Sequence, residues 1–173
     1  MLNRARTVAI RVLVVCVVLG LSHAQDPATS NSPQQEKVVT THVSGNFDVK
    51  LTPETLADKA ADKTLARMSI DKQFHGDLEA ASKGEMLSAV TTVKGSAGYV
   101  AIERVTGTLK GRKGSFVLQH SATMARGTPH LHIIVVPDSG TEGLTGLTGK
   151  MTINIAQGGQ HSYDFEYTFA DAP

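Results

Sequence analysis

Short runs in which apolar and polar residues alternate, separated by glycine-rich turns, occupy the chain from His42 to Phe169. A period of two, punctuated about every dozen residues, is the pattern of half-buried β-strands. Residues 42–51, 65–75, 78–93, 99–109, 115–124, 131–136, 150–156 and 161–169 read as eight such strands. Eight strands with one apolar face each close most economically into an antiparallel barrel, because closure leaves no edge on which to aggregate. A two-sheet sandwich is the alternative. An eight-stranded barrel is just wide enough to be filled by side chains or to hold one small molecule.

One stretch interrupts the alternation. Thr52-Pro53-Glu54 resembles an N-cap followed by proline at the first helical position, and Leu56, Ala57, Ala60 and Ala61 recur at helical spacing. A short helix near residues 53–62 and a mobile insertion between the first two strands fit equally well.

Two hairpins can be given a register. Centring the fourth and fifth strands on Gly111-Arg112-Lys113-Gly114 sets Leu109 opposite Phe116, Val105 opposite His120 and Glu103 opposite Ala122. One face of the pair is then apolar except for Glu103 and His120, which lie diagonally within reach of each other. In the last hairpin, a three-residue loop ending in Gln160 pairs Ile155 with Tyr163, Ile153 with Phe165 and Met151 with Tyr167, giving one continuous apolar face.

The N-terminus reads as an address. Arg4, Arg6 and Arg11 precede the apolar run from Val12 to Leu21, and Ser22 and Ala24 stand where a signal peptidase cuts. The run is too short to span a bilayer, which takes about 20 apolar residues. Residues 1–24 are therefore expected to be a signal peptide, and the product to be secreted or periplasmic with no membrane association after cleavage. Cys16 lies inside the apolar run and not after it, which argues against lipidation. Residues 25–38 are polar and rich in Pro and Ser, as in a disordered linker. That leaves residues 39–173 as one domain.

Cleavage changes the chemistry that is available. The formal charge of the full chain is +1, and loss of three arginines leaves acids in slight excess. With no cluster of Lys and Arg on one face, no nucleic-acid partner is expected. The single cysteine departs with the signal, which excludes disulfides, thiolate catalysis and cysteine-ligated zinc.

Five side chains stand out as candidate ligand contacts: Glu103, His120, Tyr99, Tyr163 and Tyr167. A carboxylate and an imidazole on an apolar barrel face can hold a polar ligand or move a proton; the same pair can equally be a buried hydrogen bond that fixes register. The tyrosines can offer hydroxyls to a ligand or simply fill a core that lacks tryptophan. His75, Asp77 and Glu79 surround a turn and fit a turn-stabilising role better than a site. His130 and His132 share a strand face, which is one way to begin a metal site; a turn at Arg126-Gly127 sends both outward and a loop one residue longer turns both inward, and no metal is expected. Gly140, Gly143, Gly146 and Gly149 lead into a strand, which leaves no helix N-terminus for a phosphate.

The segments Ala66-Arg67-Met68-Ser69-Ile70-Asp71-Lys72-Gln73-Phe74-His75-Gly76-Asp77-Leu78-Glu79, Gly98-Tyr99-Val100-Ala101-Ile102-Glu103-Arg104-Val105-Thr106-Gly107-Thr108-Leu109 and Gly114-Ser115-Phe116-Val117-Leu118-Gln119-His120-Ser121 are closely similar to the bacterial domain-of-unknown-function family 3224. The resemblance runs from about Gly45 to Thr168. It implies an eight-stranded antiparallel barrel related to those of allene oxide cyclase and the dirigent proteins, and it brings no established activity. Two departures matter. Glu142 stands where the family pattern Gly-Thr-Gly-x-Leu-x-Gly-x-x-Gly has its second glycine, which bears on the fold if that position needs positive φ. His130 and His132 replace uncharged polar residues.

The leading expectation is an exported, non-enzymatic barrel that binds a small apolar or lipid-like molecule without a cofactor. The alternatives are an isomerase or cyclase, by fold analogy with allene oxide cyclase, and a filled barrel acting as an interaction or oligomer module. The related cyclases imply assembly through the barrel exterior, as a dimer or trimer.

Overall fold

The computed structural model describes residues 39–57 and 64–170. The expected signal peptide (residues 1–24), the expected linker (25–38) and residues 58–62 of the helix alternative lie outside them. The strands are β1 (Thr41–Glu54), β2 (Leu65–Gly76), β3 (Leu78–Val90), β4 (Ala97–Leu109), β5 (Arg112–Ala125), β6 (Thr128–Val135), β7 (Leu147–Ile155) and β8 (His161–Phe169), with one 3-10 turn at Glu142–Leu144. Each pairs antiparallel with its neighbour in sequence, and β8 returns to β1 to close an eight-stranded barrel. Alternation dictates the interior: Leu78, Ala80 and Ser82 of β3, or Ala101, Glu103 and Val105 of β4, are buried while the residues between them are exposed.

β1 does not yield to a helix at Pro53. It continues to Glu54, with Pro53 opposite Met68 and Glu54 opposite Arg67. The β1–β8 ladder covers only residues 41–47, so beyond it one edge of β1 has no strand partner among the described residues. That is the setting in which a strand tolerates the missing N–H of proline.

Both hairpin registers differ from the expected ones, the first by four residues and the second by two. β4 and β5 turn at Lys110-Gly111, which places Leu109 opposite Arg112, Glu103 opposite Leu118 and Ala101 opposite His120. Lys110 (φ 45°) and Gly111 (φ 83°) both have positive φ, the requirement of a two-residue hairpin turn whose twist matches the strands. In the last hairpin, Ile153 faces Tyr163 and Met151 faces Phe165. The loop is three residues long as expected, but Ala156 and Gln160 close it, and Gly159 takes its left-handed position at φ 82°. In each case the shift is even, so every side chain keeps the expected face.

The two ends of the barrel are packed differently. Phe74, Leu78, Leu109, Phe116, Tyr163 and Phe165 are at most 1% exposed and fill the end that carries the β2–β3 and β4–β5 turns. Phe116 stacks on Phe165 at 5.8 Å, and Phe74 meets Tyr163 edge-on at 5.6 Å. The connection between β6 and β7 completes this end. Thr141 accepts the Ser115 N–H at 2.9 Å, and Leu144 is buried above Gly114.

Candidate functional site

Halfway along the barrel, four adjacent strands each turn one polar side chain inward at the same level. Lys72 of β2, Ser82 of β3, Glu103 of β4 and His120 of β5 are 6%, 1%, 0% and 3% exposed. Glu103 is the centre. Its Oε1 accepts from Lys72 Nζ at 2.8 Å and from His120 Nε2 at 3.1 Å, and its Oε2 accepts from Ser82 Oγ at 3.0 Å. Space for the carboxylate comes from Gly84, which faces Glu103 across the ladder: a Cβ there would lie 2.5 Å from the Cβ of Glu103.

Burial pushes the Glu103 carboxyl upward. The His120 hydrogen bond, the charges of Lys72 and His120, and the Lys72 hydrogen bond together outweigh it and hold the group below the ordinary carboxylate range. Glu103 is therefore ionised near neutrality and can only accept hydrogen bonds, which assigns the proton on His120 to Nε2. Lys72 Nζ also lies over the rings of Phe47 and Phe74, 5.2 and 5.7 Å from their centroids, so its remaining N–H groups face π-clouds.

Above this cluster the barrel is hollow. A cavity of about 200 Å³ has Lys72 and His120 in its floor, and Ile70, Met86, Tyr99 and Ile153 in its walls. Leu51, Leu131 and Ile155 form a partly exposed apolar rim. Burial raises the Tyr99 phenol above its ordinary value, and the Glu103 charge adds to the effect.

The five candidate contacts thus divide. Glu103 and His120 meet as expected and Tyr99 joins them at the cavity, but Tyr163 and Tyr167 belong to the filled end and do not line it. The Tyr163 hydroxyl accepts the Leu78 N–H at 3.1 Å and donates to the His75 carbonyl at 3.2 Å, tying β8 to the β2–β3 turn. Around that turn Glu79 accepts the Gly76 N–H at 2.8 Å, and Asp77 and His75 make exposed ion contacts. His130 and His132 face outward, with Leu131 and Ile133 on the inner side. Among the described residues no three His, Cys, Asp or Glu side chains converge on a point that could hold a metal ion.

Lys72 and Ser82 were not among the expected site residues. The signal for Lys72 is nonetheless present: it falls in phase with Ile70 and Phe74 on the buried face of β2, where an unpaired ammonium is prohibitive.

The family described as "Protein of unknown function (DUF3224)" matches residues 43–167, a span that includes all four members of the polar cluster. The chain belongs to the DUF3224 family. A crystal structure of a DUF3224 protein of unknown function from Shewanella oneidensis MR-1 is similar to it, with 56% sequence identity and a TM-score of 0.73 over 78% of this chain and 100% of that one. No curated protein matches. Glu142, where the expected motif has a glycine, adopts φ 52°, so this position does take the left-handed conformation that glycine accepts without strain.

Proposed function

We propose that this DUF3224 barrel is a binding protein for one small, largely apolar molecule, held in the cavity above Lys72, Glu103 and His120. The observation that carries this reading is the pairing of a hollow apolar chamber with a desolvated charge cluster in its floor. A barrel of this size can be filled by side chains, and a buried ion pair is seldom more stabilising than apolar packing of the same volume. A concave, mostly apolar chamber with a few convergent polar groups is the usual form of a small-molecule site.

Its size limits the occupant. A dry cavity of about 150 Å³ holds benzene, so about 200 Å³ holds roughly eight non-hydrogen atoms. A long acyl chain would have to leave through the rim between Leu51, Leu131 and Ile155. The same proposal takes residues 1–24 as a secretory signal, so that the binding would occur outside the cytoplasm.

Native mass spectrometry of the purified protein tests it, with extraction and identification of whatever travels with the barrel. One molecule of the stated size is expected per chain, and it should be lost in an Ile153→Trp variant that fills the chamber and still melts cooperatively. A wild-type protein that carries nothing and takes up no small aromatic or alicyclic compound would overturn the proposal.

A further inference from the structure

Apolar side chains at the mouth of the barrel continue past the point where the core can cover them. Leu51, Met124, Leu131 and Ile155 fall in phase with the buried Phe47, His120, Ile133 and Met151 of the same strands, and Val90 and Val93 stand at the end of β3 and in the loop after it. All six are between 38% and 65% exposed. Polar residues would serve equally well where a strand end faces water, so a ring of half-exposed apolar side chains around one opening marks a surface that meets something apolar. Charge on this rim has one sign. The loop after β3 and the turn between β5 and β6 are tied together: the Gly127 N–H donates to the Gly95 carbonyl at 2.9 Å, and the Arg126 N–H to Ser96 Oγ at 3.1 Å. The joined tip, residues 91–96 and 124–130, carries Lys94 and Arg126, both exposed, and no acid. Neither cation pairs with a carboxylate among the described residues, whereas Lys83, Lys110 and Lys150 on the barrel wall each have one. Glu85 and Glu54, toward the same end, are already matched, the first by an ion pair to Arg67 at 2.6 Å and the second by its place opposite Arg67 in the ladder.

We propose that this mouth is a docking surface for an anionic lipid bilayer, with the apolar ring entering the boundary between headgroups and acyl chains while Lys94 and Arg126 meet the lipid phosphates. A bilayer matches both halves of the surface, since it is an apolar slab bounded by a plane of anions. The apolar and cationic side chains share one end of the barrel, and no acid on the tip opposes contact with that plane. Because the two loops are already bonded to each other, docking orders little new structure. The expectation of no membrane association rests on the shortness of the apolar run at residues 12–21, and interfacial docking needs no spanning segment. The docking surface stands whether or not the chamber is loaded. Where both hold, an occupant would pass between the chamber and the acyl chains without crossing water.

The chain has no tryptophan, so a single one reports its own surroundings. Val93→Trp puts it on the tip and Lys113→Trp at the closed end, both at exposed positions. Both proteins, checked for cooperative melting, are mixed with vesicles of phosphatidylglycerol and phosphatidylcholine in equal parts whose acyl chains carry bromine. The fluorescence of Val93→Trp should shift to the blue and be quenched, and that of Lys113→Trp should not. Adding Lys94→Gln and Arg126→Gln to Val93→Trp should weaken binding at least about tenfold, and so should removing phosphatidylglycerol. Equal responses from the two tryptophans, or a response as strong on phosphatidylcholine alone, would overturn the proposal. A blue shift of Val93→Trp that grows with protein concentration in the absence of vesicles would overturn it in favour of a second copy of this chain on the rim. No response from either tryptophan would also overturn it, while the ligand-binding proposal would still stand or fall on extraction of the occupant.

Discussion

Glu103 is ionised in a place where water cannot reach it, and only its three partners make this tolerable. Its folded-state carboxyl titrates below the ordinary glutamate value of 4.5, so the unfolded chain binds the proton more readily than the folded one. The resulting stabilisation is fully present above that value and is lost as pH falls through the folded pKa. In Glu103→Gln the pH-dependent contribution disappears and Lys72 is left without a counter-charge, at a cost of about 3 kcal/mol near neutrality. Urea denaturation from neutrality to below the ordinary glutamate value should show a lower midpoint for the variant and a shallower acid slope; parallel curves would mean that the cluster contributes nothing through its charge. The Glu103–His120 contact was legible in sequence even though the register was not. The expected pairing set Glu103 opposite Ala122 and the structure sets it opposite Leu118, and His120 lies midway between the two, diagonal to Glu103 in both. Lys72 and Ser82 were less legible, because a serine or a long lysine fits either face of a strand until its partner is known.

At the scale of elements, strands were readable and turns were not. The faces of β4, β5, β7 and β8 follow from alternation alone, whereas two registers that differ by an even number of residues bury the same side chains. What separates them is backbone conformation. Gly111 and Gly159 mark the left-handed turn positions, but Gly114 and Gly158 stand close by and offer equally good decoys in a one-dimensional reading. The β6–β7 connection gives a direct test of this backbone requirement. Glu142 holds φ 52° in a conformation that costs a side-chain-bearing residue about 1–2 kcal/mol, part of which glycine gives back through its greater freedom in the unfolded chain. Glu142→Gly should therefore stabilise the protein by up to about 1 kcal/mol, seen as a rise of a few degrees in Tm. An unchanged or lower Tm would show that the loop is held without strain.

The whole molecule is a barrel packed at one end and hollow at the other, and its composition explains why. Five Phe, three Tyr and no Trp are too few large side chains to fill eight strands from end to end. Phe74, Phe116, Tyr163, Phe165, Tyr167 and Phe169 gather at the closed end, while Phe47 and Tyr99 remain with aliphatic neighbours at the cavity. Closure into eight antiparallel strands was legible from the number and alternation of the runs. Which end stays hollow was not, since that depends on which side chains share a level, and levels require the correct register. Methyl NMR of the isotopically labelled protein during titration with phenol tests the hollow end most directly. The expected result is that Ile70, Met86, Leu131 and Ile153 shift together and saturably, while Leu78, Leu144 and Leu147 at the closed end and Leu87, Val100 and Ile102 on the outer face stay still. Shifts confined to the outer face, or none at all, would contradict a ligand chamber inside the barrel.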